Sequence, residues 1–93
     1  MDIDKLYNVI INTKKTTPKN SYIISLLESG TDRILQKVGE EAIEVIISAK
    51  GKDKNKIVLE VTDLWFHILV LLSHLDIKPK DIYDELEKRS KKI

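Results

Sequence analysis

The segment from residue 56 to residue 75 constrains the fold most, because apolar side chains point to nearly every side of the helix that it predicts. It reads KIVLEVTDLWFHILVLLSHL, without the strict alternation of apolar and polar residues that marks a half-buried strand. A helix that is apolar all round has to be buried on all sides. One chain of 93 residues has few helices with which to cover it. A second copy would supply the rest, so we expect an all-α bundle of four to five helices per chain, completed by homodimerisation.

Helical periodicity and breakers divide the remainder of a single domain, residues 1–93. We expect a first helix over residues 3–13, capped by Asp2 or Asp4, and a polar loop over residues 12–21. Ser21 is expected to cap a short helix that Gly30 ends. The other expected helices run from Thr31 or Asp32 to about Lys50 with Gly51 as the stop, from Asp53 or Asn55 to about Leu75, and from Pro79 to about residue 91.

Composition excludes several classes of function. Sixteen basic and 15 acidic residues give a net charge of +1, so the chain as a whole does not attract nucleic acid. No cysteine is present, which excludes disulfides and thiolate metal sites. The first residues lack a signal-peptide pattern, and the apolar stretch LWFHILVLL is too short to span a membrane. The expected location is the cytoplasm, with no membrane partner.

Carboxylates recur at helical spacing on two consecutive predicted helices. Residues 38–45, VGEEAIEV, carry Glu40, Glu41 and Glu44, and the next helix carries Glu60 and Asp63. On a helical wheel of residues 32–50, the three glutamates lie opposite an apolar set made of Leu35, Val38, Ala42, Val45, Ile46 and Ala49. A short connection favours antiparallel neighbours, so the two sets of acids should face each other.

Facing carboxylates at a partly buried surface are costly unless a cation meets them. All-oxygen ligands favour Mg²⁺ or Mn²⁺ over Zn²⁺, and a di-iron centre fits less well because His67 follows Asp63 by four positions rather than three. Such a site suits hydrolysis of a phosphoanhydride. The alternative without catalysis is a dimeric helical adaptor whose acids form surface ion pairs.

At these residues the chain resembles the all-α, MazG-like nucleoside triphosphate pyrophosphatases, whose motif is EExxE followed by ExxD. The stretches SYIISLLESG, DRILQKVGEEAIEVIISAK, EVTDLWFHILVLL and IYDELEKR are similar, more narrowly, to the phosphoribosyl-ATP pyrophosphohydrolase family, over about residues 3–91. The resemblance implies Mg²⁺-dependent hydrolysis of phosphoribosyl-ATP to phosphoribosyl-AMP and pyrophosphate, the second step of histidine biosynthesis. It also implies a homodimer with active sites near the subunit interface. A house-cleaning hydrolase of free nucleoside triphosphates, from the same superfamily, is the alternative enzyme.

The resemblance also assigns roles to residues. Its metal-binding acids are Glu40, Glu41, Glu44, Glu60 and Asp63, with Glu41 and Glu44 as the catalytic pair. Its substrate-binding candidates are Lys37, Arg33, His67, Ser21 and Tyr22. Plainer roles remain open: Lys37 can pair with Glu41 one turn away, and His67 can be a hydrogen-bonded core residue. We expect His74 to be structural. The chain departs from the family pattern at Ile23 or Ile24, Gln36, Trp65 and Phe66.

Overall fold

The chain forms five α-helices in a computed structural model that describes residues 1–16 and 21–92. Within those residues no strand is present, which confirms the all-α prediction. The helices are α1 (Ile3–Thr16), α2 (Tyr22–Glu28), α3 (Thr31–Gly51), α4 (Lys54–His74) and α5 (Pro79–Ser90). The two 21-residue helices, α3 and α4, form the antiparallel hairpin on which α1 and α2 pack, while α5 packs against α1.

The first helix is longer than the sequence indicated. Residues 12–16, which we assigned to a polar loop, continue α1, while residues 17–20 of that loop lie outside the described residues. Tertiary contact explains the extension, because the Lys14 ammonium donates to the carbonyl of Ser73 across 2.9 Å, at the end of α4. The same carbonyl also accepts from the backbone N–H of Asp76 at 3.4 Å, so Lys14 adds a second donor at the end of α4.

The start of α4 is capped by the carboxylate that the sequence predicts. Asp53 accepts hydrogen bonds from the backbone N–H groups of Asn55 and Lys56, as predicted for the start of α4. At α2, Ser21 occupies the predicted N-cap position with an extended backbone, but its side chain makes no capping hydrogen bond. Helix α3 begins at Thr31, one of the two predicted starting residues, and Gly30 is its N-cap.

The core lies where α1 and α2 pack on the hairpin. Its buried apolar side chains are Tyr7, Ile10, Leu26, Ile34, Leu69 and Val70. Of these, Ile10, Ile34 and Val70 are completely buried, one each from α1, α3 and α4. This core fixes the rotation of both long helices and therefore decides which of their other residues face each other.

Among the described residues, α4 and α3 each leave apolar surface uncovered in a single chain. On α4, Val58, Leu59 and Trp65 are more than half exposed. A single chain therefore leaves this helix partly uncovered, as the sequence predicts. On α3, Leu35 and Ile46 are exposed although the wheel placed them on the packing face. The partly buried side of α3 instead includes Val38, Ala42 and Val45, together with two charged residues described below.

Helix α4 is also long and apolar enough to cross a bilayer, with a mean hydropathy of 1.5 over its most apolar window. The prediction that no segment is long enough to span a membrane rests only on the central stretch of this helix, LWFHILVLL. One such helix is weak evidence for a membrane span, because the core helix of a soluble protein passes the same test.

Candidate metal and phosphate-binding site

Three carboxylates from the facing sides of α3 and α4 converge at the middle of the hairpin. Glu41, Glu60 and Asp63 each have a carboxylate oxygen within 4.8 Å of the other two. Glu41 and Glu60 are partly buried and Asp63 is exposed, so the cluster opens to solvent on one side. The ExxD spacing places Glu60 and Asp63 one turn apart on the same face of α4, and antiparallel packing brings Glu41 opposite them. We refer to these three residues as the acid cluster.

A polar cavity of about 650 Å³ adjoins the acid cluster toward the α3–α4 turn. Its polar lining residues are Glu44, Ser48, Asp53, Lys56 and Glu60. Glu44 is exposed and lies one turn along α3 from Glu41. It is therefore the predicted acid that joins the cluster to a space large enough for part of a nucleotide.

Glu60 carries the electrostatic cost of this arrangement. Desolvation, followed by repulsion from Glu44, Asp63 and Glu41, raises the pKa of its carboxyl above the ordinary value. A raised carboxyl pKa means that the folded protein disfavours the ionised form. A cation among these oxygens would relieve that repulsion, so the acid cluster is a site that favours binding positive charge.

Lys37 borders the acid cluster on α3. Its ammonium lies 3.3 Å from Glu41 and 3.4 Å from Glu40, and its side chain is only 20% exposed. Desolvation alone would lower the pKa of Lys37, but hydrogen bonds to Glu41 and Glu40 and the nearby Tyr22 outweigh it, so the pKa is raised. Lys37 therefore stays charged at neutral pH. The predicted pair with Glu41 is present, and it leaves a full positive charge beside the acids.

Glu40 lies outside the acid cluster, on the solvent side of Lys37. Its carboxylate accepts from the Gln36 amide at 2.8 Å and lies 4.0 Å from the Arg33 guanidinium. The Gln36 bond, with Lys37 and Arg33, lowers the pKa of Glu40. Glu40 thus gathers donors around itself. The family pattern does not indicate the contact from Gln36, although the spacing of four between Gln36 and Glu40 is a pairing signal.

Tyr22 of α2 and His67 of α4 meet through a hydrogen bond. The Tyr22 hydroxyl is 2.8 Å from His67 Nε2, and His67 Nδ1 is 2.7 Å from the backbone carbonyl of Asp63. His67 is only 6% exposed, as a hydrogen-bonded core histidine should be. The Phe66 ring packs against both Tyr22 and His67, with centroids 6.2 and 5.2 Å away. Ser21 precedes Tyr22 at the start of α2.

The remaining histidine has a structural contact, as expected. His74 Nε2 lies 2.7 Å from the Thr31 hydroxyl and so connects the end of α4 to the start of α3.

The acid cluster suits a hard divalent cation. At a metal–oxygen distance of about 2.1 Å, two oxygens that bind one Mg²⁺ are at most about 4.2 Å apart. Oxygens within 4.8 Å need to draw together only slightly, which flexible glutamates allow. Three carboxylates without a thiolate or imidazole are the donor set that favours Mg²⁺ or Mn²⁺. Glu41, Glu60 and Asp63 are therefore the residues that could hold such an ion, with Glu44 within one turn.

An all-α hairpin with facing carboxylates, a neighbouring cationic side chain and an open polar cavity is an arrangement that could hold a divalent cation beside the phosphates of a substrate.

Comparison with known proteins identifies the family. A profile described as phosphoribosyl-ATP pyrophosphohydrolase matches residues 3–90, and the chain belongs to that family. It is similar to a protein of Geobacter sulfurreducens named phosphoribosyl-ATP pyrophosphatase, with 52% identity over 94% of this chain and 81% of the relative. Proteins with the same name in Clostridium novyi and Neisseria gonorrhoeae are each 46% identical, over 98% and 94% of this chain and 83% and 81% of their own lengths.

Proposed function

We propose that the protein hydrolyses phosphoribosyl-ATP to phosphoribosyl-AMP and pyrophosphate, the second step of histidine biosynthesis, with Mg²⁺ as the cofactor. The observation that carries the proposal is the convergence of Glu41, Glu60 and Asp63 on facing helices of a chain in this family. Relatives that bear the enzyme's name cover nearly the whole chain, which supports the choice of substrate.

The residues divide into three roles in this proposal. Glu41, Glu60 and Asp63 hold the cation, which when bound supplies positive charge to the phosphates. Lys37, with Arg33 further out, meets the phosphate chain from the side of Glu40. Glu44 lines the cavity and lies outside the acid cluster, so it is placed to accept a proton from the attacking water. Water adds to one phosphorus, the bond between the α- and β-phosphates breaks, and pyrophosphate leaves.

A second copy of the chain is proposed to cover the uncovered face of α3. Exposed apolar side chains follow one another along this face at helical spacing, namely Leu35, Ile43, Ile46 and Ile47, each 48–64% exposed. Val58 and Leu59 of α4 add to the uncovered apolar surface. Contiguous exposed apolar surface of this kind marks a protein–protein interface. We call the exposed face of α3 the apolar stripe.

Gly39 lies on the apolar stripe, and its presence supports a close helix crossing there. Glycine in a helix interior costs roughly 0.5–1 kcal/mol relative to alanine. Nothing in the described part of the chain requires it, because a Cβ at Gly39 would meet no described atom within 4 Å and the backbone is not left-handed. A partner helix that approaches closely would require it. We therefore propose a homodimer in which the stripes of two chains meet near Gly39.

The cytoplasm is the proposed location, because a substrate with several phosphates does not cross membranes and stays in the compartment where it is made.

Pyrophosphate release by the purified protein tests the proposal, with phosphoribosyl-ATP, ATP and a panel of deoxynucleoside triphosphates, each with and without Mg²⁺. We expect release from phosphoribosyl-ATP and only with the metal. Release mainly from the free nucleotides would reassign the protein to house-cleaning hydrolysis. No release from any substrate would favour the dimeric adaptor.

A further inference from the structure

A cationic side chain of the protein is in direct contact with the acid cluster. The Lys37 ammonium lies 3.3 Å from Oε1 of Glu41, the member of the cluster that α3 supplies. The side chains of this pair are only 20% and 13% exposed, so water and salt screen their interaction less than they screen a surface pair. Lys37 therefore places a positive charge at the edge of the oxygens that are proposed to hold the metal.

This positive charge opposes the binding of a second cation. A divalent ion held by Glu41, Glu60 and Asp63 would have to share the Glu41 carboxylate with the ammonium. Two cations on one carboxylate repel each other, and the repulsion is stronger at a partly buried site than in water. Lys37 thus lowers the affinity of the acid cluster for a divalent cation as long as no anion lies between the two charges.

A phosphate chain reverses the effect of Lys37. Mg²⁺ in proteins is usually bound by one or two carboxylates together with the phosphates of a substrate, and a lysine ammonium binds phosphate as a point charge. Phosphate oxygens that contact both Lys37 and the ion place negative charge between the two cations. Each cation then favours the binding of the phosphates, and the repulsion between the cations is offset.

A second carboxylate allows the Lys37 ammonium to leave Glu41. Oε2 of Glu40 lies 3.4 Å from Nζ of Lys37, and Glu40 is not a member of the acid cluster. The ammonium therefore keeps an anionic partner when the Glu41 carboxylate turns to a metal ion. Because Glu40 is 45% exposed, this partner lies on the side from which a phosphate arrives from solvent.

We propose that Lys37 couples metal binding to phosphate binding. The acid cluster binds a divalent cation weakly by itself and tightly together with phosphates, so the metal enters with the substrate. Coupling is reciprocal, and the phosphates therefore bind more tightly in the presence of the metal. The inference rests on the proposed function for the position of the metal site.

Three variants separate this coupling from a simple contact between Lys37 and phosphate. K37M removes the charge and keeps an unbranched apolar side chain, whereas K37R retains the charge. R33M is the matched control, because it removes a positive charge from the same helix that pairs with Glu40 at 4.0 Å and not with Glu41. The melting temperature of each variant identifies any general loss of folding.

Binding of Mn²⁺ alone, followed by electron paramagnetic resonance of the free ion, tests the opposing charge without turnover. We expect K37M to bind Mn²⁺ at least about fivefold more tightly than wild type, the lower end of ordinary coupling between sites. R33M and K37R should stay within about twofold of wild type, because the exposed Arg33 pair contributes little and arginine keeps the charge at position 37. Equal affinity in wild type and K37M, or equal tightening in R33M and K37M, would overturn the proposal.

The same titration with inorganic phosphate, a weak ligand of the free ion, measures the coupling itself. Phosphate should increase the Mn²⁺ affinity of wild type by a larger factor than that of K37M, and equal factors would overturn the role of Lys37. If wild type bound no Mn²⁺ under either condition, the proposed metal site would fail and the inference with it. If wild type showed the coupling but did not turn over phosphoribosyl-ATP, only the proposed function would be overturned.

Discussion

Replacing Gly39 with alanine should stabilise the isolated chain and weaken the dimer at the same time. Gly39 lies inside α3, and a Cβ there has open space in the single chain. Alanine is favoured over glycine in a helix interior by about 0.8–1.0 kcal/mol. For a domain of this size, about 1 kcal/mol corresponds to roughly 4–8 °C in Tm. The monomer of Gly39→Ala should therefore melt about 4–8 °C above the wild-type monomer.

The dimer should respond with the opposite sign. Overpacking a close contact by one methyl group costs about 1–3 kcal/mol, which raises the dissociation constant at least about fivefold. Thermal melts over a wide range of protein concentration, with sedimentation to measure mass, separate the two effects. The variant should melt higher than wild type at low concentration and lose this advantage as concentration rises.

Gly51→Ala provides the control, because Gly51 also has open space around it but ends α3 beside the polar cavity, away from the apolar stripe. The difference in Tm between this variant and wild type should be the same at every protein concentration. If Gly39→Ala raised Tm equally at every concentration and left the dimer's mass unchanged, the close crossing would be refuted. A lower Tm in the dilute monomer would contradict the open space around Gly39.

Three further predictions concern the site and its supports. Glu60→Gln should raise Tm at pH 7 without metal, because glutamine resembles the protonated carboxyl, which the fold favours, as the raised pKa of Glu60 indicates. Below the unfolded pKa of about 4.3, Glu60 is protonated in both the folded and the unfolded state. The gain in Tm should therefore vanish there, as melts across pH would show. Added Mg²⁺ should stabilise wild type more than this variant, and equal stabilisation would place the ion elsewhere. Asp53→Ala should cost about 1 kcal/mol of unfolding free energy, whereas Ser21→Ala, at a cap without a side-chain bond, should cost almost nothing in denaturant titrations; equal losses would contradict the assigned caps. Lys37→Met should raise KM for phosphoribosyl-ATP at least about tenfold while Mg²⁺ binding persists, the loss expected of a charged hydrogen bond, and an unchanged KM would exclude the phosphate contact.

The sequence was sufficient for the helices and for most of the acids. Apolar residues at helical spacing predict the two long helices, and ExxD on α4 requires Glu60 and Asp63 to share a face. Asp53 was predictable as a cap because its capping bonds are local. These features depend on neighbours within one or two turns, which the order of residues specifies directly.

The rotation of α3 could not be predicted from the sequence. This helix has apolar residues on more than one side, and the wheel does not distinguish the side that meets α4 from an exposed side. The structure exposes Leu35 and Ile46 and turns Glu41 inward, while Glu40 turns toward Arg33 and Gln36. The choice depends on contacts with the rest of the core, such as the complete burial of Ile34, which the spacing of α3 alone does not contain.

Contacts between distant segments were likewise beyond the sequence. The bond from Lys14 to the Ser73 carbonyl, which accompanies the longer α1, joins residues 59 positions apart. The bond from Tyr22 to His67 joins residues 45 positions apart. The family pattern marked Tyr22 and His67 as substrate-binding candidates, but only their placement shows that they bond to each other.

The Mg²⁺ dependence of pyrophosphate release from phosphoribosyl-ATP, compared among wild type, Glu41→Gln and Glu40→Gln, tests the central claim most directly. These adjacent glutamates carry the same charge, and only Glu41 belongs to the acid cluster. The account predicts that Glu41→Gln abolishes Mg²⁺-dependent release, while Glu40→Gln keeps the wild-type Mg²⁺ requirement and changes mainly the KM for substrate. Full Mg²⁺-dependent activity in Glu41→Gln, or loss of the metal requirement in Glu40→Gln alone, would contradict the assignment of the acid cluster as the metal site.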